Sequence, residues 1–495
     1  MYKSILFFLL ILTSSSLLHS QFQLKVNNGT GSGTYSTGDT VHVWANTPNQ
    51  MEVFTSWVGS GAEYLTLRDE WHTFLIVPEG EQPGNLEITA QYAILPKINY
   101  GMEKILLFRE DSGRHETRRR AKKPVFYFIP PHPKAVVFLF HGTNGSGYSM
   151  AMGKYESGSI IKDLLHNGYA CVMFSANEAD FGDQNGDDKR RWKTRPFPMD
   201  SATNIDLKNL VLLEDQLRSK FHLDNLPFYA FGVSNGAVFS DLCAPYRGYR
   251  AVGHMVGNGS IRFHQYIGGE LPTIWLMAEN DHQANADSAI ARTNYQAMLD
   301  RGIDAEWYLL EKSPVYASRF TRSLKGITAD QSKKIAQTLK QEGYLTPDKY
   351  LNFDILEDKK DEISRTLIQQ KIVTKTQSKE VIDQLKIVNA DHGAHGDYNK
   401  RIIAFFDRYL TLSEVDAPLK DNSPLQIYPN PASTWIFLNQ KSTIQQVNLF
   451  NLQGQLIHQW KGDRHQLNIF NIPSGTYILD VRSEAGKQSG PVVIE

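Results

Sequence analysis

Cysteine is scarce in this sequence, since Cys171 and Cys243 are the only two among 495 residues. So few thiols exclude a disulfide-rich scaffold, and a zinc site built on two cysteines is not expected. Both are interpreted as small buried side chains, although the sequence leaves open whether they pair. A charge excess is also missing, because 52 Lys and Arg balance 53 Asp and Glu. This balance argues against nucleic acid as a partner.

Long apolar runs are absent as well, apart from a short one near the N-terminus. Ile5 to Leu12 is a continuous apolar stretch that follows Lys3 and precedes the small and polar residues 13–16. The stretch is too short to favour a membrane anchor, and the arrangement is typical of a secretory signal peptide. We therefore predict that residues 1–20 are a signal peptide cleaved after Ser20, and that the protein is exported.

Residues 21–94 are predicted to form a small all-β domain, because apolar residues alternate, as in Thr40 to Ala45, and Gly-Asp pairs mark the turns. The pattern between Gly33 and Gly59 resembles a small β-repeat found in bacterial surface proteins. That resemblance implies a module that binds a polymer or acts as a spacer. Three aromatic residues are interpreted as its core rather than as a sugar-binding platform: Trp44, Phe54 and Trp57.

Residues 98–412 alternate apolar strands with amphipathic helices, which indicates a mostly parallel sheet covered by helices on both faces. A charged helical insertion, residues 313–385, interrupts this alternation. Within it, Thr328 to Gln331 is typical of a capping box, and a second helix is predicted around Ile363 to Leu367. The insertion is either a lid over a functional site or a passive surface elaboration.

The sequence Gly232-Val-Ser234-Asn-Gly236 stands between an apolar run and a helix-compatible stretch. A strand, a sharp turn with glycine on both sides of a serine, and a helix together expose a nucleophilic hydroxyl. The glycines are needed because the strand and the helix crowd together at such a turn. The five-residue pattern alone has little specificity, so the interpretation depends on its position between these two elements.

With these elements placed, the central segment resembles the α/β-hydrolase fold. Residues 98–310 and 386–412 are most similar to secreted esterases with a Gly-x-Ser-Asn-Gly turn, of the feruloyl-esterase and polyhydroxybutyrate-depolymerase type. The resemblance implies that the backbone amides of Asn235 and Thr143 bind an oxyanion, with Gly142 in reserve. It also implies that His141 has a structural role in the turn.

The resemblance places an acid after the predicted strand 273–277, where Asp281 occupies the family position and Glu279 and Asp287 are the alternatives. A carboxylate there would orient an imidazole and stabilise its charged form. His282, next to this acid, is a weaker candidate for the base.

The base is expected in a loop before the last helix, where two histidines, His392 and His395, are available. His392 is preferred because it stands nearer the end of the predicted preceding strand, and His395 is the reserve. The order Ser234, Asp281, His392 is the order that this fold uses. His254 and His264 are weaker candidates, and His254 is interpreted as a satisfied core histidine.

After a polar linker, residues 413–424, the tail 425–495 becomes rich in predicted strands. Three of its segments resemble the C-terminal sorting domain of the type IX secretion system, a small β-sandwich used by Bacteroidetes: Ile427 to Ala432, Val447 to Leu456 and Ile472 to Leu479. The resemblance implies the type IX machinery as a partner and a secreted or cell-surface protein.

The sequence therefore predicts a multidomain chain, with a central α/β-hydrolase flanked by small all-β domains. The expected function is that of a secreted serine carboxyl-ester hydrolase, with an ester as substrate and a polymer-linked ester as one candidate, and with no metal or organic cofactor implied. Two alternatives stay open at this point. They are a serine peptidase of the same fold and a non-catalytic surface-binding protein.

Overall fold

The computed structural model describes residues 20–110, 120–195, 199–260, 264, 271–352, 358–410, 425–439, 443–452, 455–462, 464–483 and 486–495. The predicted linker 413–424 lies outside the described residues, as does the predicted signal peptide up to residue 19. The chain forms two compact units, one up to Ile94 and one from Leu95 onward. Within the described ranges, no helix has the length and apolar character needed to cross a lipid bilayer.

In the first unit, the described residues 20–94 form strands and no helix other than a short 3₁₀ turn at Ala62–Tyr64. They pair into one sheet with the order β3-β1-β7-β5 and another with the order β2-β4-β6. Trp44, Phe54 and Trp57 are buried, which confirms that they belong to a core. The strands are β1 (Gln21–Asn27), β2 (Gly29–Thr30), β3 (Gly33–Ser36), β4 (Thr40–Ala45), β5 (Glu52–Val58), β6 (His72–Ile76) and β7 (Asn85–Ile94).

The second unit contains an eight-stranded sheet with the order β15-β14-β13-β12-β10-β11-β9-β8. Pairing is parallel from β11 to β15 and antiparallel for β8 and β9. This mostly parallel sheet confirms the expected α/β-hydrolase fold. The strands are β8 (Asn99–Phe108), β9 (Arg120–Ile129), β10 (Ala135–Phe140), β11 (Tyr169–Phe174), β12 (Phe228–Val233), β13 (Val252–Met255), β14 (Thr273–Ala278) and β15 (Ala305–Leu310).

Helices connect these strands and cover the sheet. Every residue of β10, β11, β12, β13 and β14 is buried, as expected for parallel strands with both faces covered. The helices are α1 (Tyr155–His166), α2 (Asn177–Phe181), α3 (Ile205–Phe221), α4 (Asn235–Arg247), α5 (Ser288–Asp300), α6 (Ala329–Gln341), α7 (Lys360–Gln369), α8 (Lys375–Val388) and α9 (Asn399–Asp407). Cys171 on β11 and Cys243 on α4 are buried and unpaired.

The insertion folds around a core of its own, formed by apolar residues of α6, α7 and α8 with those of the preceding loops. The capping box at Thr328 and the helix around residues 363–367 are confirmed. The prediction of a strand directly before His392 is wrong, because helix α8 continues to Val388. Val381, Leu385 and Val388 recur at helical spacing and are all buried in the insertion core.

The C-terminal region consists of two antiparallel sheets, with the orders β16-β17-β20 and β19-β18-β21-β22. Apolar residues from both sheets form one core, as expected for a small β-sandwich. The strands are β16 (Gln426–Tyr428), β17 (Trp435–Asn439), β18 (Ile444–Asn451), β19 (Leu456–Lys461), β20 (Gln466–Asn468), β21 (Gly475–Ser483) and β22 (Gly486–Ile494).

Candidate active site

Ser234 occupies the sharp turn between β12 and α4. Its backbone has φ 57° and ψ −120°, a conformation that residues other than glycine rarely adopt. The turn is held by a hydrogen bond of 2.9 Å from the Ser234 amide to the Met255 carbonyl on β13. Such strain at a serine is typical of a turn that presents a nucleophile.

Glycine is required on both sides of this turn. A Cβ at Gly232 would lie 2.2 Å from the carbonyl of Gly236, and one at Gly236 would lie 2.4 Å from the Phe140 carbonyl oxygen. These distances are far below van der Waals contact, so any larger residue would push the strand and helix apart. The expectation that glycines allow the strand and the helix to approach each other closely at this turn is therefore confirmed.

The turn after β10 packs directly against the serine. A Cβ placed on Gly142 would be 3.0 Å from the Ser234 Cβ and 3.6 Å from its Oγ. The Thr143 amide has no acceptor among the described residues. Asn235 is the first residue of α4, where a helix leaves its backbone N–H groups without an internal acceptor. Two amide donors are thus available beside the hydroxyl.

His141, which precedes this turn, is buried and has partners on both ring nitrogens. Nε2 accepts a hydrogen bond of 3.0 Å from the Ala176 amide, and Nδ1 donates to the Gly142 carbonyl at 2.7 Å. Burial lowers the pKa of His141 to about 4, only partly offset by the Gly142 hydrogen bond. The ring is therefore neutral and fixes the turn, in agreement with the structural role expected of it.

Asp281 and His392 form a hydrogen-bonded pair although 111 residues separate them. His392 Nδ1 lies 2.6 Å from Asp281 Oδ2, and the other carboxylate oxygen accepts from the Gln283 amide at 3.0 Å. The Asp281 side chain is fully buried, whereas that of His392 is 24% exposed. The hydrogen bond uses Nδ1, so Nε2 is the ring nitrogen left for a substrate.

Asn280 ties the two loops that carry this pair. Its amide nitrogen donates to the Ala390 carbonyl at 3.0 Å, and its side-chain Nδ2 donates to the Asn389 carbonyl at 2.8 Å. The loop after β14 is therefore connected by two hydrogen bonds to the segment just before His392. This contact fixes the distance between the carboxylate and the imidazole through the backbone on both sides.

Asn285 is a residue that the sequence analysis did not single out. Its Nδ2 donates a hydrogen bond of 2.9 Å to Ser234 Oγ, and its carbonyl accepts from the Asn258 amide at 2.8 Å. Because Asn285 occupies only an acceptor position of the hydroxyl, the serine proton stays available for transfer. No motif surrounds Asn285, and its position in the loop after β14 was the one available signal.

The reserve base and the alternative acids have other partners. His395 is buried, and its Nε2 lies 2.9 Å from the Asp391 carbonyl oxygen. Burial lowers the pKa of His395, with a smaller opposing effect from Asp397. Asp287 caps helix α5, and Glu279 accepts a hydrogen bond from the Lys312 amide.

A cavity of about 600 Å³ brings Ser234 and His392 to a common surface. Gly142, Thr143, Asn235 and Asn285 also line it, whereas His395 is not among the lining residues. Three cationic side chains contribute to the wall, and none of the described lining residues is Asp or Glu. The cations are Lys154, Lys189 and Arg191.

The insertion is anchored beside this cavity by a buried ion pair. Glu156 on α1 receives two hydrogen bonds from Arg322, at 2.9 Å and 2.6 Å, and a third of 3.0 Å from Gln384 on α8. The same carboxylate accepts from the Gly396 amide at 3.1 Å, in the loop that follows His392. The insertion is thus joined to α1 and to the histidine loop, and its last helix leads directly into His392.

The tail has a family match of its own. Residues 426–495 match the family described as secretion system C-terminal sorting domain. The tail is a sorting domain. It directs the chain to the cell surface or the extracellular space by type IX secretion, as the sequence predicted.

Three solved structures illustrate what the chain is similar to. A dienelactone hydrolase from Anabaena variabilis is 15% identical, with 51% of this chain and 99% of that one covered and a TM-score of 0.30. A ferulic acid esterase is 11% identical, with 43% of this chain and 90% of that one covered and a TM-score of 0.31. A bacterial esterase is 12% identical, with 44% of this chain and 86% of that one covered and a TM-score of 0.30. No curated protein sequence matches the chain. The functional proposal therefore depends on the residues of the cavity.

Proposed function

We propose that the chain is a secreted serine carboxyl-ester hydrolase in which Ser234, His392 and Asp281 act as nucleophile, base and orienting acid. The observation that carries the proposal is the cavity itself. It is lined by a strained serine at a strand-helix turn and by an imidazole whose far nitrogen is held by a buried carboxylate. This combination of nucleophile, base and orienting group is what acyl transfer requires.

The first half of the reaction forms an acyl-enzyme. Ser234 Oγ attacks the carbonyl carbon of the ester while His392 Nε2 accepts the hydroxyl proton. Asp281 accepts the Nδ1 hydrogen bond and stabilises the imidazolium that results. The carbonyl oxygen becomes an oxyanion, for which the amides of Asn235 and Thr143 are the proposed donors, with Gly142 in reserve.

Collapse of this tetrahedral intermediate breaks the bond to the alcohol oxygen, which takes the proton from His392. Water then attacks the acyl carbon, with His392 as general base, and the second intermediate releases the acid and restores the Ser234 hydroxyl. Asn285, which donates to Oγ, is proposed as a positioning residue. Its hydrogen bond holds the hydroxyl oxygen in one direction and leaves its proton for the imidazole.

The charge of the cavity wall narrows the substrate class. Lys154, Lys189 and Arg191 line the cavity, and none of the described lining residues is Asp or Glu. Asp383, 3.4 Å from Lys154, and Asp187, paired with Arg191, partly neutralise two of these cations from outside the lining, so the inference about charge rests mainly on Lys189. We infer that esters carrying a nearby negative charge are preferred, as on an acidic extracellular polymer. Such a polymer would be accessible to a chain that the sorting domain directs to the cell surface or the extracellular space.

Covalent labelling tests the nucleophile. A fluorophosphonate probe is expected to form one adduct on the full-length chain, at Ser234, detected by mass spectrometry of peptides. Ser234→Ala should remove the adduct, and the control Ser240→Ala, which changes a buried serine of the adjoining helix α4, should retain it. A folded protein that takes no label would contradict the hydrolase and favour a surface-binding protein.

A substrate panel separates esters from amides. Aryl esters of short and long acyl chains are expected to be hydrolysed, and peptide amides of matched acyl groups are expected to be poor substrates. The measurement is kcat/KM for each pair with wild type and Ser234→Ala. Faster hydrolysis of the amides would replace the esterase with a serine peptidase of the same fold.

A further inference from the structure

A second group of histidine and aspartate side chains lies in the interior, apart from the cavity. Asp241, His254 and His264 converge so that their nitrogen and oxygen atoms all lie within 4.8 Å of one another. His254 Nε2 is 2.8 Å from Asp241 Oδ1, and His264 Nε2 is 2.7 Å from Oδ2. All three side chains are at most 2% exposed. We call these three residues the buried centre.

Three different parts of the fold supply the buried centre. Asp241 lies on α4, seven positions after Ser234, and His254 lies on β13. His264 belongs to the connection between β13 and β14. Its backbone is held by a hydrogen bond of 3.0 Å from its amide to the Ser260 carbonyl and by Arg301, which donates to its carbonyl at 2.5 Å. Three elements distant in sequence are thus fixed with their polar groups facing one another.

The orientation of His254 indicates that something other than a hydrogen bond brings it there. Its Nε2 is 2.8 Å from Asp241 Oδ1, at ion-pair distance but without good hydrogen-bond alignment, and its Nδ1 has no hydrogen-bond partner among the described residues. A fully buried imidazole with one nitrogen unsatisfied and the other poorly aligned with its partner is costly, so such groups in native proteins call for an explanation. A nitrogen and an oxygen that are close but misaligned are expected when both point at a common third atom.

Gly259 shows how closely the backbone is drawn to the buried centre. A Cβ on this residue would lie 2.4 Å from Asp241 Oδ2, 2.8 Å from His254 Cε1 and 3.0 Å from His264 Nε2. Its φ of +73° also favours glycine. The space above the three side chains is therefore compatible only with a residue that has no side chain.

We propose that the buried centre binds a divalent transition-metal ion, with zinc as the reference metal, through His254 Nε2, His264 Nε2 and Asp241. Two imidazoles and one carboxylate suit zinc and its neighbours, whereas calcium and magnesium prefer all-oxygen sites. Metal–nitrogen bonds of about 2.0–2.1 Å at tetrahedral angles require each nitrogen and its neighbouring oxygen to separate by roughly half an ångström.

Such an ion has a structural effect, because it joins α4, β13 and the connection after β13. These elements support the turn of Ser234 from behind, since the Ser234 amide bonds to Met255, the residue after His254. The ion is not placed to touch a substrate, because none of its three ligands lines the cavity. The proposal is therefore independent of the ester chemistry and is tested without it.

The experiment measures metal binding by the full-length chain. The protein is stripped with a chelator, dialysed, and titrated with zinc chloride while the bound metal and the melting temperature are recorded. We expect binding that saturates at one zinc per chain and a rise in melting temperature that saturates at the same ratio. Cobalt chloride should give visible absorption bands of a site with nitrogen and oxygen ligands, and zinc should abolish them.

Two variants and two controls locate the site. His254→Gln and His264→Gln should each lose the tight zinc and the cobalt bands. His72→Gln removes a histidine that lies 3.2 Å from His42 in the first unit and could bind zinc adventitiously; it should keep both signals, as should Ser234→Ala. If His254→Gln and His264→Gln do not fold, the zinc stoichiometry and the cobalt spectrum of the His72→Gln protein decide whether the metal site lies outside the His42–His72 pair.

The outcome that overturns the proposal is a folded, chelator-treated wild type that binds no zinc tightly and whose melting temperature zinc does not change. The same conclusion holds if His72→Gln abolishes the zinc signal while His254→Gln preserves it. The three residues would then form a metal-free network in which one carboxylate bridges two imidazoles. Because neither measurement uses ester turnover, a failure here leaves the hydrolase proposal intact.

Discussion

Two groups of aspartate and histidine residues lie near helix α4, and they differ in one property. In the cavity, His392 is 24% exposed and its hydrogen bond to Asp281 is well aligned. In the buried centre, His254 and His264 are sealed and surround a single carboxylate. A histidine needs one nitrogen with access to the substrate to transfer a proton, so we propose a chemical role for the residues in the cavity and a structural role for the same residue types in the buried centre.

Whether a histidine is accessible from the cavity depends on the element that carries it. His392 stands in a loop that leaves helix α8 at the rim of the cavity, whereas His254 lies within a fully buried strand. The loop is fixed from two sides, by Asn280 and by the Glu156 contact with Gly396. The difference predicts that changes in the cavity pair alter turnover, and that changes in the buried centre alter stability and metal content.

The largest effect is expected from the base. His392→Ala should lower kcat by about 10⁴ to 10⁶ without a comparable loss of stability, because the proton acceptor disappears from a partly exposed position. His254→Gln should leave kcat within a small factor when measured well below its melting temperature. Steady-state hydrolysis of an aryl ester together with thermal unfolding checks both.

The reserve base supplies the control. His395→Ala should retain most of kcat, because the ring is buried, bonds to the Asp391 carbonyl and does not line the cavity. A buried side chain is lost in this variant, so its melting temperature should fall instead. If only the His395 change removed turnover by orders of magnitude, the assignment of His392 would be wrong.

The carboxylates give the second contrast. Asp281→Asn should lower kcat by about 10⁴, because an amide favours the wrong tautomer of His392 and no longer stabilises its charged form. Asp241→Asn should leave kcat nearly unchanged at low temperature. It should destabilise the fold by about 3–5 kcal/mol, because it breaks up a buried charged group. Turnover and urea unfolding of both variants separate the two roles; equal losses of kcat would contradict them.

The sequence singled out Asp281 and His392, which are hydrogen-bonded in the structure, but it did not single out the buried centre, and the reasons can be identified. The turn at Ser234 has a local signature, and the order of serine, acid and base is a property of the fold, so the fold could be used to find Asp281 and His392. Nothing local marks His264, whose partners are 23 and 10 residues away. His254 in an apolar strand was interpreted as an ordinary core histidine. Convergence of side chains from three elements is visible only in three dimensions.

Two features near the serine could also not be predicted from the sequence. The element before His392 was expected to be a strand, because a short apolar segment does not distinguish a strand from the end of a buried helix. Its inclusion in α8 depends on packing within the insertion. Asn285 is an isolated polar residue in a loop, and only its distance of 2.9 Å from Ser234 Oγ indicates a role.

Asn285→Ala should have the third-largest effect, a decrease in kcat of up to about 100-fold with little change in KM. The hydroxyl would lose the donor that fixes its direction, while the base and its acid remain. Asn285→Gln, which restores a donor at a shifted position, should recover part of the loss. A variant that lowers stability and kcat together, without such recovery, would assign Asn285 a purely structural role.

A third kind of buried histidine sharpens the contrast through pH. His141 has no carboxylate partner, and burial lowers its pKa to about 4. Because the unfolded chain binds a proton more readily than the folded one, stability is fully present above about pH 6.5 and decreases as pH falls towards 4. The loss amounts to about 3 kcal/mol. His141→Gln should flatten this dependence in urea unfolding at several pH values, and an unchanged slope would contradict it.

The smallest effect is expected from the positive charge of the cavity wall, which is accessible to a substrate, unlike the charged group of the buried centre. Lys189→Gln should lower the ratio of kcat/KM for an anionic ester to that for a neutral ester of the same size by roughly two- to fivefold, the size expected for an exposed charge. The difference should shrink at high salt, because the Debye length falls to about 3 Å at 1 M. Lys334→Gln on α6, outside the cavity wall, is the matched control and should leave the ratio unchanged. Equal ratios in wild type and Lys189→Gln at low salt would show that the cationic wall does not select the substrate.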